Sequence, residues 1–467
     1  MSLITTSQRY GNQIASVETN RAAVYGQRAI KLGTTKYLKP LPSMLDPSGA
    51  LTKCGQKDYD VYLELALFLN ATGYTVDGLS GLVFRKDPTL ELQANVQYLE
   101  TNVDGVNSTI INQMQLAVRD AFTTPESALL VDFPTVEGRV SKKTAEDNNL
   151  RPKILFFPFE SIIKKFYSTV NNKHQLSLAV IREIQETLTE EFEIEYNPVY
   201  RVLQLIDGVY HQGLKDDADN WVNELKPVLV NGSTSPEIPI FFITALDGIK
   251  SPVDDLVDVN LNHYNMFASY ANKEHSSGFP IFWESGVQDI ENDNNNKVGP
   301  NVKWVSQNTE AQFGILETAG DGGSLRAYLE DRKIEMAALG AEFLNPTTNA
   351  AESGESKKLD KIARNATTAD IANTVSRAYQ DAVEFAVKWL GGSEGEVNIQ
   401  LNTDYIPQEM NPQLLTALLA SLQTGQISYD TFWLNLQKGE IAPMDRDSED
   451  EKALIAQTES GFSVDDE

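Results

Sequence analysis

The chain has 467 residues, 66 Asp and Glu against 39 Lys and Arg, a formal net charge of −27 and a single cysteine. That acidity argues against gripping nucleic acid through a basic face, which supplies most such affinity by counterion release. Cys54 alone excludes an internal disulfide, and His174, His211, His263 and His275 leave little material for a zinc site.

No apolar run approaches the ~18 residues of a membrane span, and "MSLITTSQRYGNQ" has no basic stretch followed by an apolar one. Neither a membrane association nor a signal peptide is expected, and synthesis in the cytoplasm follows. The length predicts roughly two to four domains.

Residues 1–57 are polar with scattered Gly and Pro, which reads as a short helix followed by an arm without a core of its own. From Asp58, "DYDVYLELALFLNATGY" has helical periodicity, and "VDGLSGLVFRKDP" reads as a Gly-punctuated turn into a short apolar segment. "TIINQMQLAVRDAFTTPES" predicts an amphipathic helix and "ALLVDFP" a strand. "KILFFPF", "LSLAVIREIQE" and "FEIEYNPVYRVLQLI" predict strands, and alternation in the last two suggests an antiparallel sheet with one wet face.

After "IPIFFITAL", the residues from Ser251 to His275 predict one helix, about 37 Å long at 1.5 Å per residue. Ser251 suits the N-cap, Pro252 the first position, and Asp254 and Asp255 the first turn, where the dipole favours anions. Its apolar residues, among them Leu256, Tyr264, Phe267 and Tyr270, wrap much of the circumference, so the helix needs cover on more than one side. "GFPIFWESG" and "NVKWVSQNTEAQFGILET" flank the polar loop "VQDIENDNNNKVGP" and predict a small strand-rich module.

"GDGGSLRAYLEDRKIEMAALGAEFL" returns to helix, with Leu325, Leu329, Met336, Leu339 and Phe343 on one stripe; "NPTTNAAESGES" breaks it. From Ser356 to Leu390 a long helix repeats Ile371, Val375, Ala378, Ala382, Phe385 and Trp389 at helical spacing. "GEVNIQLNTDYIP" predicts a strand, and "NPQLLTALLASLQTGQISYDTFWLNLQKG" two short helices about a Gly turn. Beyond Glu440 the chain is strongly acidic and is expected to fold weakly.

Catalytic patterns are incomplete. "SIIK" (Ser161 to Lys164) matches S-x-x-K without its S-D-N and K-T-G partners, so a core-facing helical turn is the expected reading. "GDGGS" (Gly320 to Ser324) precedes a helix but lacks the spacing and Lys of a phosphate loop, which favours a joint capped by Ser324. His263 and His275 stand too far apart on one helix to share a metal, and a packed or interfacial role is expected for each. Nothing here supports an enzyme, and no cofactor or metal is expected.

The order of parts is more specific. From about Asp58 to Gly439 the chain resembles the portal, or head-to-tail connector, proteins of tailed double-stranded DNA phages. The resemblance is carried by "VDGLSGLVFRKDP", "IPIFFITALDGIKSPVDDLVDVNLNHYNMFASYANKEHSSGFPIFW", "KVGPNVKWV" and "GILETAGDGGSLRAYLEDRKIEMAALGAEFL" in that order. It implies an α+β, predominantly helical subunit with wing, stem, clip and crown regions, assembled as a ring of about twelve copies at one capsid vertex.

On this sequence it implies an N-terminal arm and α+β wing over 1–250, a first stem helix over 251–277 and a clip over 278–320. A second stem helix follows over 321–343, then a channel loop over 344–355, a long wing helix and strand over 356–410, and a helical crown with acidic tail over 411–467. The stem residues Leu256, Tyr264, Phe267 and Tyr270 would then meet neighbouring copies. Trp283, Asp289, Asn294 and Trp304 would form a partner-binding clip, and Lys357, Lys358, Lys361 and Arg364 would contact DNA in the channel. The loop "NPTTNAAESGESKK" departs from such a role in being polar and acidic, with its lysines only at the end.

The partners so implied are the terminase packaging motor, a head-tail adaptor, the major capsid and scaffolding proteins, and double-stranded DNA passing through; the expected location is the virion. The competing readings are another ring-forming virion part, such as a head-completion or tail adaptor protein, a capsid scaffold, and a cytosolic hydrolase with an unrecognised site.

Overall fold

The computed structural model describes residues 5–133, 150–170, 172–189, 192–230, 233–277, 281–286, 310–316, 323–340, 354–392, 397–405, 412–439, 441–443 and 446–461. It divides into two compact units, Met1–Leu401 and Asn402–Glu467.

In the first unit, helix α1 (Gln8–Tyr25) begins where the Ser7 side chain accepts from the Tyr10 amide and ends at Gly26, whose φ of 84° is one that L side chains rarely adopt. The N-terminal segment is therefore no coreless arm. Val17, Ala23 and Val24 are buried, and charged residues on the same helix reach into the wing, as described below. A short helix α2 (Gln27–Leu32) follows.

The single helix expected from Asp58 is two: α3 (Lys53–Leu65) and α4 (Ala71–Val83). Ala66 turns extended, and Asn70 then caps α4 by accepting from the Gly73 amide at 3.0 Å. "VDGLSGLV" consequently continues a helix rather than forming a turn, with Val76 and Val83 in the core.

Strand β1 (Thr89–Glu91) precedes α5 (Ile110–Thr123), whose buried Ile110, Met114, Ala117, Val118 and Ala121 mark one apolar face. Strands β2 (Glu126–Asp132), β3 (Lys153–Phe157) and, later, β11 (Ile240–Thr244) form a three-stranded antiparallel sheet with β2 in the middle.

Between them β4 (Ile162–Val170), β5 (Lys173–Leu188), β6 (Ile194–Ile206), β7 (Val209–Asp216) and β8 (Trp221–Pro227) make a five-stranded antiparallel sheet in sequence order. Two short strands, β9 (Leu229–Val230) and β10 (Ser233–Thr234), pair with each other. "SIIK" sits at the entry to β4, with Ile162 and Ile163 buried. It is core-facing as expected but in a strand, since the β-branched pair suits the pleated surface.

Helix α6 (Asp254–Ser277) leads into the antiparallel strands β12 (Ile281–Ser285) and β13 (Gln312–Leu316), then α7 (Gly323–Ala338) and the 36-residue α8 (Gly354–Trp389). The stripe on α8 is buried at every position: Ile371, Val375, Ala378, Ala382, Phe385 and Trp389. Phe385 meets Trp389 edge-on at 5.6 Å and Phe241 of β11 at 6.1 Å, which fixes α8 on the three-stranded sheet. Strand β14 (Asn398–Gln400) closes the unit by pairing with β1.

The second unit holds α9 (Pro412–Gln423), α10 (Tyr429–Lys438) and α11 (Ser448–Gly461). The acidic tail is thus helical where weak folding is expected. Asp447 accepts from the Glu449 and Asp450 amides at 2.8 and 2.7 Å, and Glu449, Asp450 and Glu451 occupy the first turn, where the dipole stabilises negative charge.

Candidate functional site

The helix predicted from Ser251 forms because its start is doubly secured. The Ser251 amide donates to the Asp254 carboxylate at 3.1 Å, and the Val253 amide donates to the Ser251 hydroxyl at 3.3 Å, a reciprocal cap. Asn20 of α1 donates to the other Asp254 oxygen at 2.6 Å, so the helix start is anchored to the N-terminal helix.

The first face of α6 packs on α7. Tyr328 donates to Asn262 at 2.9 Å, and Leu256 shares an apolar cluster with Ala71 and Met336. Positions descending along α6 meet positions ascending along α7, so the two helices are antiparallel and the β12–β13 hairpin joins their common end. On α7, Leu329 and Met336 are buried, whereas Leu339, expected on the same stripe, lies past the helix end and is exposed; Phe343 lies outside the described residues.

The second face of α6 is covered by the N-terminal helices. Asn260 donates to Thr72 at 3.1 Å, Phe68 meets Tyr264 edge-on at 5.7 Å, and Tyr62 and Ser269 share a hydrogen bond of 3.1 Å. This corrects the assignment of Leu256 and Tyr264 to a surface between copies. At 2% and 0% exposure they are already enclosed by their own subunit. Phe267 and Tyr270, with ring centroids 6.5 Å apart, are only half-buried and remain accessible to another chain.

His263 is buried between these layers, stacked on Phe267 at 6.3 Å, and neither ring nitrogen has a hydrogen-bond partner. Burial, reinforced by the Lys333 charge and partly opposed by Glu330, pushes its pKa down to about 4, so the ring is neutral near pH 7. Burial likewise pushes the Tyr264 hydroxyl up to about 12. His263 is the packed histidine expected, and its place four residues before Phe267 on an apolar stripe is the signal that marks it.

In the hairpin Trp283 is 42% exposed, while Asp289, Asn294 and Trp304 lie outside the described residues. Lys357, Lys358, Lys361 and Arg364 stand on α8, but their side chains lie outside the described residues, as does the preceding segment 341–353. The candidate clip and channel residues are therefore not brought together here.

What the sequence did not suggest is a set of charge networks binding α1 to the wing. Arg21 bridges buried Asp120 and Glu160, the latter at 2.7 Å. Glu126, 4% exposed at its side chain, takes Arg9 at 3.2 Å and Lys165 at 2.5 Å. Arg201 joins Asp132 at 3.2 Å and Glu183 at 2.5 Å. Burial pushes the Asp120 carboxyl up against the pull of Arg21; at Glu160 the Arg21 hydrogen bond and charge outweigh burial and hold the carboxyl low. Each acid is committed to a cation, which suits anchoring rather than proton transfer.

Among the described residues no group of three or more His, Cys, Asp or Glu could hold a metal ion, and no helix is long and apolar enough to cross a membrane.

Residues 252–390 match a family described as a domain of unknown function, DUF4055. No curated protein matches. Among solved structures, a chain described as the neck of a native GTA particle computed with C12 symmetry is similar at a TM-score of 0.40 and 9% identity, over 78% of this chain and 89% of that one. A chain from the neck of an empty GTA particle computed with C6 symmetry is similar at 0.39 and 9%, over 82% and 93%. At such scores and identities the likeness transfers neither function nor partners to this chain.

Proposed function

We propose that this chain is the repeating subunit of a phage portal, a ring through which double-stranded DNA enters and leaves a capsid. The observation that carries the reading is the antiparallel pair α6 and α7 with a β-hairpin at their shared end, followed by the 36-residue α8. A helical hairpin that presents a small β element at one end and half-buried Phe267 and Tyr270 along its side suits a stem lined up beside identical stems.

The net charge of −27 fits a conduit, because a wall that bound phosphates tightly would have to break every contact for DNA to move. In this reading the chain is not an enzyme; a separate terminase supplies the energy, and an adaptor later occupies the hairpin end. Capsid and scaffolding proteins surround the wing. The runner-up is a head-completion or tail adaptor ring, favoured by the same helical hairpin.

Native mass spectrometry of the purified protein tests the reading. A closed assembly of about twelve copies is expected. A stable monomer or dimer at micromolar concentration overturns it.

A further inference from the structure

Strands β5 and β6 outrun their sheet. β4 pairs with β5 only as far as Ile181, and β7 pairs with β6 only from Val199, yet β5 and β6 remain paired out to Leu188 and Ile194. Beyond the sheet the two strands form a ribbon with no third strand. Directly opposed residues share a face, so Ile184 with Pro198, Glu186 with Tyr196, and Leu188 with Ile194 lie on one side, and Gln185 with Asn197 and Thr187 with Glu195 on the other.

One side is thus apolar apart from Glu186, and the other is polar. The apolar side is uncovered: Ile184 is 53% exposed, Leu188 67%, Ile194 52% and Tyr196 62%, with Phe192 at the turn 86%. A two-stranded ribbon is marginal alone in water and needs a third layer to be stable.

Its chemistry restricts what that layer can be. From Glu183 to Glu195 the sequence carries six glutamates and no Lys or Arg. A complementary surface must offer apolar side chains within a basic field. This chain has one such stretch despite its acidity: residues 26–57 hold Arg28, Lys31, Lys36, Lys39, Lys53 and Lys57 against Asp46 alone. All but the half-buried Lys31 are exposed, and beside them Tyr25 is 69% and Leu32 84% exposed.

We infer that the β5–β6 ribbon of one copy docks on the α1–α2 corner, Tyr25 to Lys39, of a second copy of this chain. Because the two surfaces differ, the contact is head-to-tail, and repeated around an axis it builds a ring rather than a two-fold dimer. The inference rests on the ring reading above and adds which surfaces meet: the ribbon's side chains insert between Tyr25 and Leu32, and its glutamates face Arg28 and Lys39.

The test is reversal of charge on each surface, read by sedimentation velocity across a concentration series of the full chain. Glu186→Lys with Glu193→Lys should weaken association at least tenfold, as should Arg28→Glu with Lys39→Glu. All four substitutions in one chain should restore association toward wild type, which misfolding of either surface would not do. Leu188→Ser with Ile194→Ser should weaken association without rescue by the basic-side reversals. A wild-type chain that stays monomeric overturns the ring reading and this inference together. Wild-type rings with unaltered association in both charge-reversed pairs, or a fourfold variant weaker than either pair, overturn the ribbon contact alone.

Discussion

Trp283 lies directly opposite Gly314 across the β12–β13 pair, and its indole fills the space a side chain would claim there: a Cβ on Gly314 would stand 2.6 Å from both Cε2 and Nε1 of the ring. The aromatic ring shields an otherwise bare stretch of backbone, which explains a glycine inside a strand, where its lost side chain and entropy would otherwise be a cost. Gly314→Ala should push the indole outward rather than break the hairpin, since the ring is already 42% exposed. The expected result is greater quencher access to Trp283, isolated by difference from Trp283→Phe, with a stability loss of about 1 kcal/mol.

Arg21→Ala should be among the most damaging single changes on α1. It removes the cation from Asp120, which is buried, and from Glu160 together. Stranding a buried carboxylate costs about 3–5 kcal/mol, readable in chemical denaturation. Asp120→Asn should rescue part of that loss in the double variant, because the remaining amide needs no counter-charge. Additive losses would show that the pair is not coupled.

His263 gives a pH dependence of defined sign. Its folded pKa is about 4 and its unfolded pKa near the ordinary 6.5, so the unfolded chain takes up the proton first as pH falls. The stabilisation from keeping the ring neutral is present above about pH 6.5 and is lost progressively toward pH 4, by at most roughly 3 kcal/mol. Comparison of unfolding midpoints for wild type and His263→Phe across that window isolates the effect from the many carboxylates. The variant should show the flatter profile; parallel profiles would remove His263 as the source.

Shortening the segment from Leu344 to Glu355 should leave ring assembly intact while impairing packaging or retention of DNA. Lys357→Ala with Lys358→Ala should give a milder form of the same defect, since a phosphate contact there is transient and salt-sensitive. Heads carrying the shortened rings that package and hold full-length DNA normally would exclude the role.

The legible parts of this fold are those in which period alone decides burial. The α8 stripe from Ile371 to Trp389 repeats at helical spacing and is wholly buried. The alternation in β5 and β6 likewise places Val180 and Val202 inside while Gln185 and Asn197 stay wet. The break between α3 and α4 was not legible, because Ala66 to Leu69 continues an apolar run and only the Asn70 cap interrupts it. At the site, periodicity shows that Leu256 and Tyr264 are covered but not by which chain. Their cover is the chain's own N-terminal helices, as in the Asn260–Thr72 bond spanning 188 positions. Likewise the charge networks join residues such as Arg9 and Glu126, 117 positions apart, which no local pattern can pair.

The pairing of β1 with β14 joins Glu91 to Asn398 across 307 positions. During translation the first of these strands therefore leaves the ribosome long before its partner exists. At about 5–20 residues per second the wait is roughly 15–60 s, ample for α3, α4 and α5 to collapse with one edge still open. That edge is only three residues long, Thr89–Glu91, and ends in a carboxylate, both features that discourage a nascent neighbour on the same messenger from pairing with it. A chain released before residue 398 would keep the edge open permanently, so premature termination late in the message is expected to yield an aggregating product rather than a shortened soluble one.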